Sequence, residues 1–453
     1  MVRVRAFVAP AYLVACLVLG GSTQGIWQNM FLQLAGLAII AWAALDTGEE
    51  PVAPAANQLL LLVIALVAVV LLQTIPLPAS AWVHLGPRER VAEGFHVLRL
   101  SPPPEPLSLA PASSLATLFA IIPSLALLCA MVRLRAYRAH LLAIALIVGA
   151  LAGILLGTLQ VASSNPVLSP WYLYEDTNPG KAVGFFANAD HMASLLVITI
   201  PFIAAIIAAG RHANLQRYSA IIAVAVAIAI VVVVGVALNG SLAGYGLALP
   251  ILAASALIII PRKSLLRAWV IGAAFLLMIG SVAALEMTPI GSGKIGSHAT
   301  SAVQSRSEIL STTVQAAKDF MPFGSGLGTF QSVYPIYEKP EQVTPIYVVH
   351  AHNEYVEIAL ELGAAGIILV LAFLAWWSAA VWRVVWSSER RPFARAAAIA
   401  SAAILIHSLV DFPLRTAAIS ACFAMCMALL ADSRTTEARN KEDELRPMRH
   451  VVI

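Results

Sequence analysis

Histidines and carboxylates gather where apolar stretches of this 453-residue chain begin or end. The densest group opens the stretch "HAHNEYVEIALELGAAG", His350 to Gly366, which carries two histidines followed by Glu354, Glu357 and Glu361. Spacings of three and four place these carboxylates on one helix face. Asn353 suits an N-cap, with Glu354 in the first turn at the positive end of the helix dipole. That role explains Asn353 and Glu354 but not His350, His352, Glu357 or Glu361. At ~1.5 Å per residue, Glu361 lies about 10 Å beyond Glu354. A carboxylate so far into an apolar segment is unfavourable unless it faces a wet or paired interior. Elsewhere, "HSLVDFPLR" sets His407 and Asp411 one helical turn apart, with Arg415 just past the Pro413 break, and "NADH" sets Asp190 and His191 at another apolar start. Such groups suit proton exchange or recognition of a polar substrate. His350, His352 and Glu354 also resemble part of a metal site, although no further ligand is evident. Each pair alone reads as an interhelical hydrogen bond; together they predict a polar cavity.

The elements that must position these residues are membrane helices. The chain is 60% apolar and 11% charged, against ~25% charged in soluble proteins, which points to lipid as the solvent. A transmembrane helix needs ~20 mostly apolar residues. Runs of that kind occur at about 6–21, 26–45, 57–76, 113–132, 140–160, 190–210, 218–238, 241–261, 267–286, 354–382, 395–413 and 415–432. The expected fold is therefore an all-α polytopic membrane protein of about 12 transmembrane helices in a single integral membrane domain, 1–453. The basic start "MVRVR" reads as the flank of a first span and not as a signal peptide. With the N-terminus inside, 19 of the 28 Lys and Arg residues fall in cytoplasmic segments, which satisfies the positive-inside rule. Both termini are then cytoplasmic, and the histidine–carboxylate groups all lie at outer helix ends. The net charge of +4 reflects topology, and no nucleic-acid partner is implied. Cys16, Cys129, Cys422 and Cys426 all fall inside spans, so no structural disulfide is expected.

The outer side carries the long loops, 77–112, 161–189 and 287–353; the last, between spans 9 and 10, is the largest. A cytoplasmic tail follows at 433–453. "SRSE" matches a capping box, Ser305 to Glu308, which predicts an amphipathic helix over about 306–320 ending at Pro322. The alternating glycines of "FGSGLGTF" could approach a phosphate, but without the Lys-Ser/Thr ending of a P-loop they read better as a tight turn. No nucleotide motif is present and the cytoplasmic loops are short. Chemistry, if any, must use the outer loops and outer helix ends.

The segment "HN", nine residues, then "GAAG" resembles the His-Asn-x9-Gly-x-x-Gly pattern of the bacterial O-antigen ligase and O-antigen polymerase family. "SRSEILSTTVQAAKDFMPFGSGLGTF" and "GFFANADHMA" resemble its loop and span entry, so that the likeness covers about 150–430. It implies a metal-independent, GT-C-like membrane glycosyltransferase of lipopolysaccharide or exopolysaccharide biosynthesis in the bacterial inner membrane. Such an enzyme takes glycan from an undecaprenyl-diphosphate-linked donor at the periplasmic face and passes it to a glycan or lipid A-core acceptor, without a cofactor, beside a flippase and a chain-length regulator. The family's loop His corresponds to His352 and its loop Arg to Arg306. The family's second Arg, in a hairpin between spans, corresponds to Leu242; Arg415, Lys294 or Lys318 would have to compensate. Ile367 and Ile368 stand where ligases often carry threonines. Histidine is poised near neutral pH to accept a hydroxyl proton, and Arg offers permanently charged, bidentate recognition of a diphosphate. On this reading His352 and Arg306 are catalytic, and Arg415, Asn353, His350, Glu357, Asp190, His191 and Asp411 bind substrate. The alternative is a transporter with these groups as its proton or substrate site; that would favour paired broken helices in matching halves, and no such symmetry is seen.

Overall fold

The computed structural model describes residues 5–432 apart from 24, 47–50, 262–263, 265, 288–293, 341–342 and 344–346; the expected tail 433–453 lies outside the described residues. The fold is 73% helical. Helices α1 (Val8–Leu19), α2 (Trp27–Leu45) and α3 (Pro54–Gln73) lead into the first long loop, which holds β1 (Pro76–Leu77), α4 (Ala79–Trp82), α5 (Arg88–Val97) and β2 (Glu105–Pro106). Then come α6 (Pro111–Ala120), α7 (Ile122–Val132), α8 (Ala139–Val161), α9 (Ala189–Ala209), α10 (Leu215–Asn239), α11 (Leu242–Ile259) and α12 (Leu266–Met287). The large loop contains α13 (Lys294–Asp319) and α14 (Phe330–Tyr337), and α15 (Glu354–Trp386), α16 (Pro392–His407) and α17 (Ala417–Ala431) complete the bundle. The only sheet among the described residues is the β1–β2 ribbon of two antiparallel residue pairs.

Eight helical stretches among the described residues are long and apolar enough to cross a membrane, α6 and α7 counting as one. Helices α1, α16 and α17 have 12, 16 and 15 residues, short of the ~20 that a full crossing requires. The run expected as a span over 395–413 is helical only to His407. The chain from Ser408 to Thr416 is irregular and carries Asp411, Phe412 and Arg415. Non-helical backbone of this kind survives at membrane depth only where protein surrounds it or it lines a polar cavity; here Asp411, Phe412, Pro413 and Thr416 are all buried.

Helix α9 is the axis of the bundle. From Ala189 to Ala205 every residue except Asp190 is buried, as befits a helix that is apolar all round, and α10, α11 and α16 pack on it. By contrast, α10 exposes Val224, Val226, Ile230 and Val233. Its high hydropathy with little burial is the pattern of a helix solvated by lipid.

Two corrections concern the large loop and its neighbour. First, α13 begins at Lys294, so Ser305 lies inside the helix and is not its cap. Residues 294–304 contain no proline to stop a helix, and the run simply continues through them. The expected amphipathic face is present: Ile309, Thr312, Thr313, Ala316, Ala317 and Phe320 are buried at helical spacing, and α13 packs against α15. Second, α15 is broken at Gly363 (φ 60°, ψ −143°), a conformation open essentially to glycine alone. At ~1.5 Å per residue the whole helix would be about 50 Å long, well beyond a ~30 Å hydrocarbon core. The part after the break, 364–386, is long enough to span by itself, which leaves Glu354, Glu357 and Glu361 on the N-terminal piece before it.

The break exposes carbonyls that the "FGSGLGTF" turn fills. Ser325 and Gly326 donate their N–H groups to Leu360 O and Glu361 O at 2.9 and 2.8 Å, and Ala364 N–H reaches Pro322 O at 2.8 Å. Gly324, Gly326 and Gly328 all have positive φ (75°, 113°, 75°). A Cβ at each would collide with Glu361 O, Ser108 and Thr117 respectively. The glycines therefore serve a tight turn against α15 and the first loop, and the Ser325 and Gly326 amides are taken up by carbonyls. Arg88, buried in the first loop, secures the same junction by donating to the carbonyls of Leu107 and Gly324.

Candidate active site

Asp411 is the centre of the polar cluster. Its side chain is fully buried, and three imidazoles surround it: His352 Nδ1 at 3.1 Å from Oδ1, and His191 Nε2 and His407 Nε2 at 3.6 and 3.9 Å from Oδ2. Each comes from a different element: His191 from the first turn of α9, His407 from the end of α16, His352 from the residue before the cap of α15. Ring nitrogens at these distances stabilise the ionised form of the carboxylate. Asp411 is thus ionised and can only accept, so the hydrogen of His352 sits on Nδ1. In the neutral ring Nε2 then carries the lone pair that a general base requires. The His352 side chain is 23% exposed, enough for a ligand to reach it.

The His352 backbone lies in the left-handed region at φ 51°, which a non-glycine side chain seldom adopts and which clusters at functional sites. With this turn His350 and His352 do not point to opposite sides, as they would in an extended segment. Both rings lie against Phe412, with centroids at 4.3 and 5.1 Å, and His191 meets the same ring edge-on at 5.1 Å.

Beside this lies a second, structural group. His350 Nδ1 is 2.8 Å from Glu357 Oε1, and Ala351 N–H donates to Glu357 Oε2 at 2.8 Å. Arg415 Nη2 lies 3.1 Å from Glu357 and 3.2 Å from Glu361, while Phe330 N–H donates to Glu361 Oε1. Paired with two carboxylates, Arg415 is held as a cation. Glu354 accepts from Leu414 N–H at 2.7 Å and from Ser408 Oγ at 3.1 Å. Asn353 caps α15 by accepting from Val356 N–H at 3.1 Å and donates to Leu409 O at 2.9 Å. The three carboxylates thus fasten the N-terminal piece of α15 to the 408–416 segment and to the glycine turn.

At the edge of the cluster Arg306, on α13, pairs with Asp190 at 2.7 Å. Asp190 sits in the first turn of α9, capped by Asn188, and Asn239 Nδ2 donates to the carbonyls of Ala182 and Ala189 nearby. Leu242 opens α11 right after Ser241, whose hydroxyl accepts from Gly244 N–H.

The residues singled out from sequence, Arg306, Asp190, His191, His350, His352, Asn353, Glu357, Asp411 and Arg415, therefore belong to one connected cluster. His407 completes it, with Ser194 Oγ at 2.6 Å from its Nδ1, and Phe412 supplies the apolar floor. The one-turn spacing of His407 and Asp411 pointed to the former; no sequence signal pointed to Ser194, Phe412 or the left-handed His352. His191 Nδ1 and Nε2, His407 Nε2 and Asp411 Oδ2 are buried and make no hydrogen bond among the described residues, an arrangement that packing alone does not explain. His350, His352 and Glu354 turn to different partners, and no three His, Cys, Asp or Glu among the described residues are arranged to hold a metal ion. Ile368 is 64% exposed on α15.

No curated protein matches the chain. Residues 227–371, from α10 past the break in α15, match the family model described as O-antigen ligase. This stretch, less than half of the chain, contains Arg306, His350, His352 and Glu357, whereas Asp190, Asp411 and Arg415 join them only through the fold. The match, over the segment that also carries the His-Asn-x9-Gly-x-x-Gly pattern, supports assignment of the chain to the O-antigen ligase and polymerase family.

Proposed function

We propose that the protein transfers or polymerises glycan from an undecaprenyl-diphosphate-linked donor at the periplasmic face of the bacterial inner membrane. The observation that carries this reading is the His352–Asp411 pair, with a free imidazole nitrogen at a strained backbone position, in one cluster with Arg306. Nε2 of His352 takes the proton of the acceptor hydroxyl as its oxygen attacks the anomeric carbon. The bond from that carbon to phosphate breaks, and the electron pair leaves on the diphosphate, where Arg306 meets the charge. Arg415, already paired with two carboxylates, organises the site and does not replace the arginine missing at position 242. Polymerisation of an exopolysaccharide or O-antigen is favoured over ligation by Leu242 and by Ile367 and Ile368, which stand where ligases often carry threonines. The reading takes twelve spans, with the short helices α1, α16 and α17 completed by the loops folded against them, and both termini cytoplasmic. A flippase and a chain-length regulator would act before and alongside.

Arg306 tests it. Arg306→Lys keeps the charge but loses the bidentate fork, so partial activity with a short-chain lipid diphosphate donor is expected, and much less from Arg306→Ala. Parent-like rates from both would remove Arg306 from the diphosphate site. Orientation has its own test: a cysteine tag at Lys318 should react with an impermeant reagent on intact cells, and one at Arg391 only after permeabilisation. The opposite pattern would place the site on the wrong side for this donor.

A further inference from the structure

Charge in the cluster is unevenly distributed. Among the described residues, the Asp190, Glu357 and Asp411 carboxylates face two guanidinium groups, Arg306 and Arg415. Arg415 is held by Glu357 and Glu361, and Arg88 of the first loop is held by backbone carbonyls. Arg306 is the cation best placed for an anionic ligand, yet Asp190 neutralises it at 2.7 Å. A diphosphate entering this surplus of carboxylates gains net attraction only to the extent that Arg306 is withdrawn from Asp190.

The two partners are not equally free to move. Asp190 is 13% exposed and pinned to the start of α9: Asn188 Oδ1 accepts its N–H, Asn178 Oδ1 accepts that of Ala189, and Asn239 holds the Ala189 carbonyl. Arg306 is 34% exposed, on a long side chain with several donors in a planar fork. The exchange is therefore a swing of Arg306 while Asp190 stays in place.

We propose that Asp190 competes with the donor diphosphate for Arg306 and thereby sets how tightly the donor, and the lipid diphosphate that leaves, are held. The inference rests on the reading of Arg306 as the diphosphate ligand. Reclaiming the guanidinium after transfer would loosen the product and favour its release, so Asp190 is a positioning residue that acts through Arg306 and not on the reacting atoms.

The test uses the full-length protein in detergent and inorganic pyrophosphate as the probe, with binding read by calorimetry. Asp190→Asn and Asp190→Ser should each bind pyrophosphate about tenfold tighter than the parent, the scale of one charge-assisted hydrogen bond. Both KM for the donor and kcat should fall together. Structural damage at the start of α9 would loosen binding, so a gain in affinity is not its by-product. In the Arg306→Ala background the gain should vanish. Unchanged or weaker binding in whichever Asp190 variants fold, while Arg306→Ala still weakens it, would overturn the competition but leave Arg306 as the ligand. Parent-like binding by Arg306→Ala would instead remove the reading on which the inference rests.

Discussion

Replacement of His352 by alanine is expected to lower turnover by about 10²–10⁴-fold, the usual scale of general-base catalysis, with donor affinity nearly unchanged. The expectation follows from the 3.1 Å contact of Nδ1 with a buried, ionised Asp411, which leaves Nε2 as the proton acceptor. His350→Ala is the natural comparison, because its ring packs on the same Phe412 but its Nδ1 is committed to Glu357 at 2.8 Å. A far smaller loss is expected there, coming from a loosened Glu357–Arg415 group. Single-turnover rates of the purified variants, with folding checked by thermal unfolding, decide the matter. A His352→Ala rate within a few-fold of the parent would dismiss it as the base. Equal losses at His350 and His352, reversed by added zinc, would point to metal chemistry instead.

Asp411→Asn should come close to the same loss, although no side chain changes size. The amide cannot stabilise the imidazolium that forms as the hydroxyl proton moves. Its NH₂ group can also donate to Nδ1, which would put the ring hydrogen on Nε2 and remove the acceptor. Substitutions of this kind in other carboxylate–histidine pairs reduce turnover by up to about 10⁴-fold. A fall in kcat with little change in donor KM is expected if Asp411, fully buried and 3.1 Å from His352 Nδ1, acts through that imidazole. If Asp411→Asn retained parent-like kcat while His352→Ala did not, His352 would be acting without Asp411 as its partner. The three imidazoles would then share a carboxylate that serves stability alone.

Much of this was legible in the amino-acid sequence because lipid imposes simple rules. Apolar runs of sufficient length must be helices, since their backbone groups have no other partners in hydrocarbon, and eight helical stretches long enough to cross a membrane stand among the described residues, whereas the run over 395–413 is helical only to His407. The Asn353 cap was readable too, because capping is local, and so was the paired environment of Glu361, because an unpaired carboxylate at that depth is untenable. The alternating glycines were readable as a turn for the same local reason.

The tertiary structure decided what depends on distant neighbours. Where α16 ends is set not by its own apolar pattern but by Glu354, which accepts from Leu414 N–H and Ser408 Oγ across the bundle and so stabilises an irregular 408–416 segment. The break at Gly363 is stabilised by the Ser325 and Gly326 amides, nearly forty residues earlier in the chain. Asp411 gathers His191, His352 and His407 from three elements, a convergence that no periodicity of 3.6 residues encodes. The sequence by itself determined a membrane bundle with histidines, carboxylates and arginines at one set of helix ends. Which of those groups touch, and hence which nitrogen is free to take a proton, was decided by packing, because hydrogen bonds and ion pairs act over a few ångströms whatever the separation along the chain.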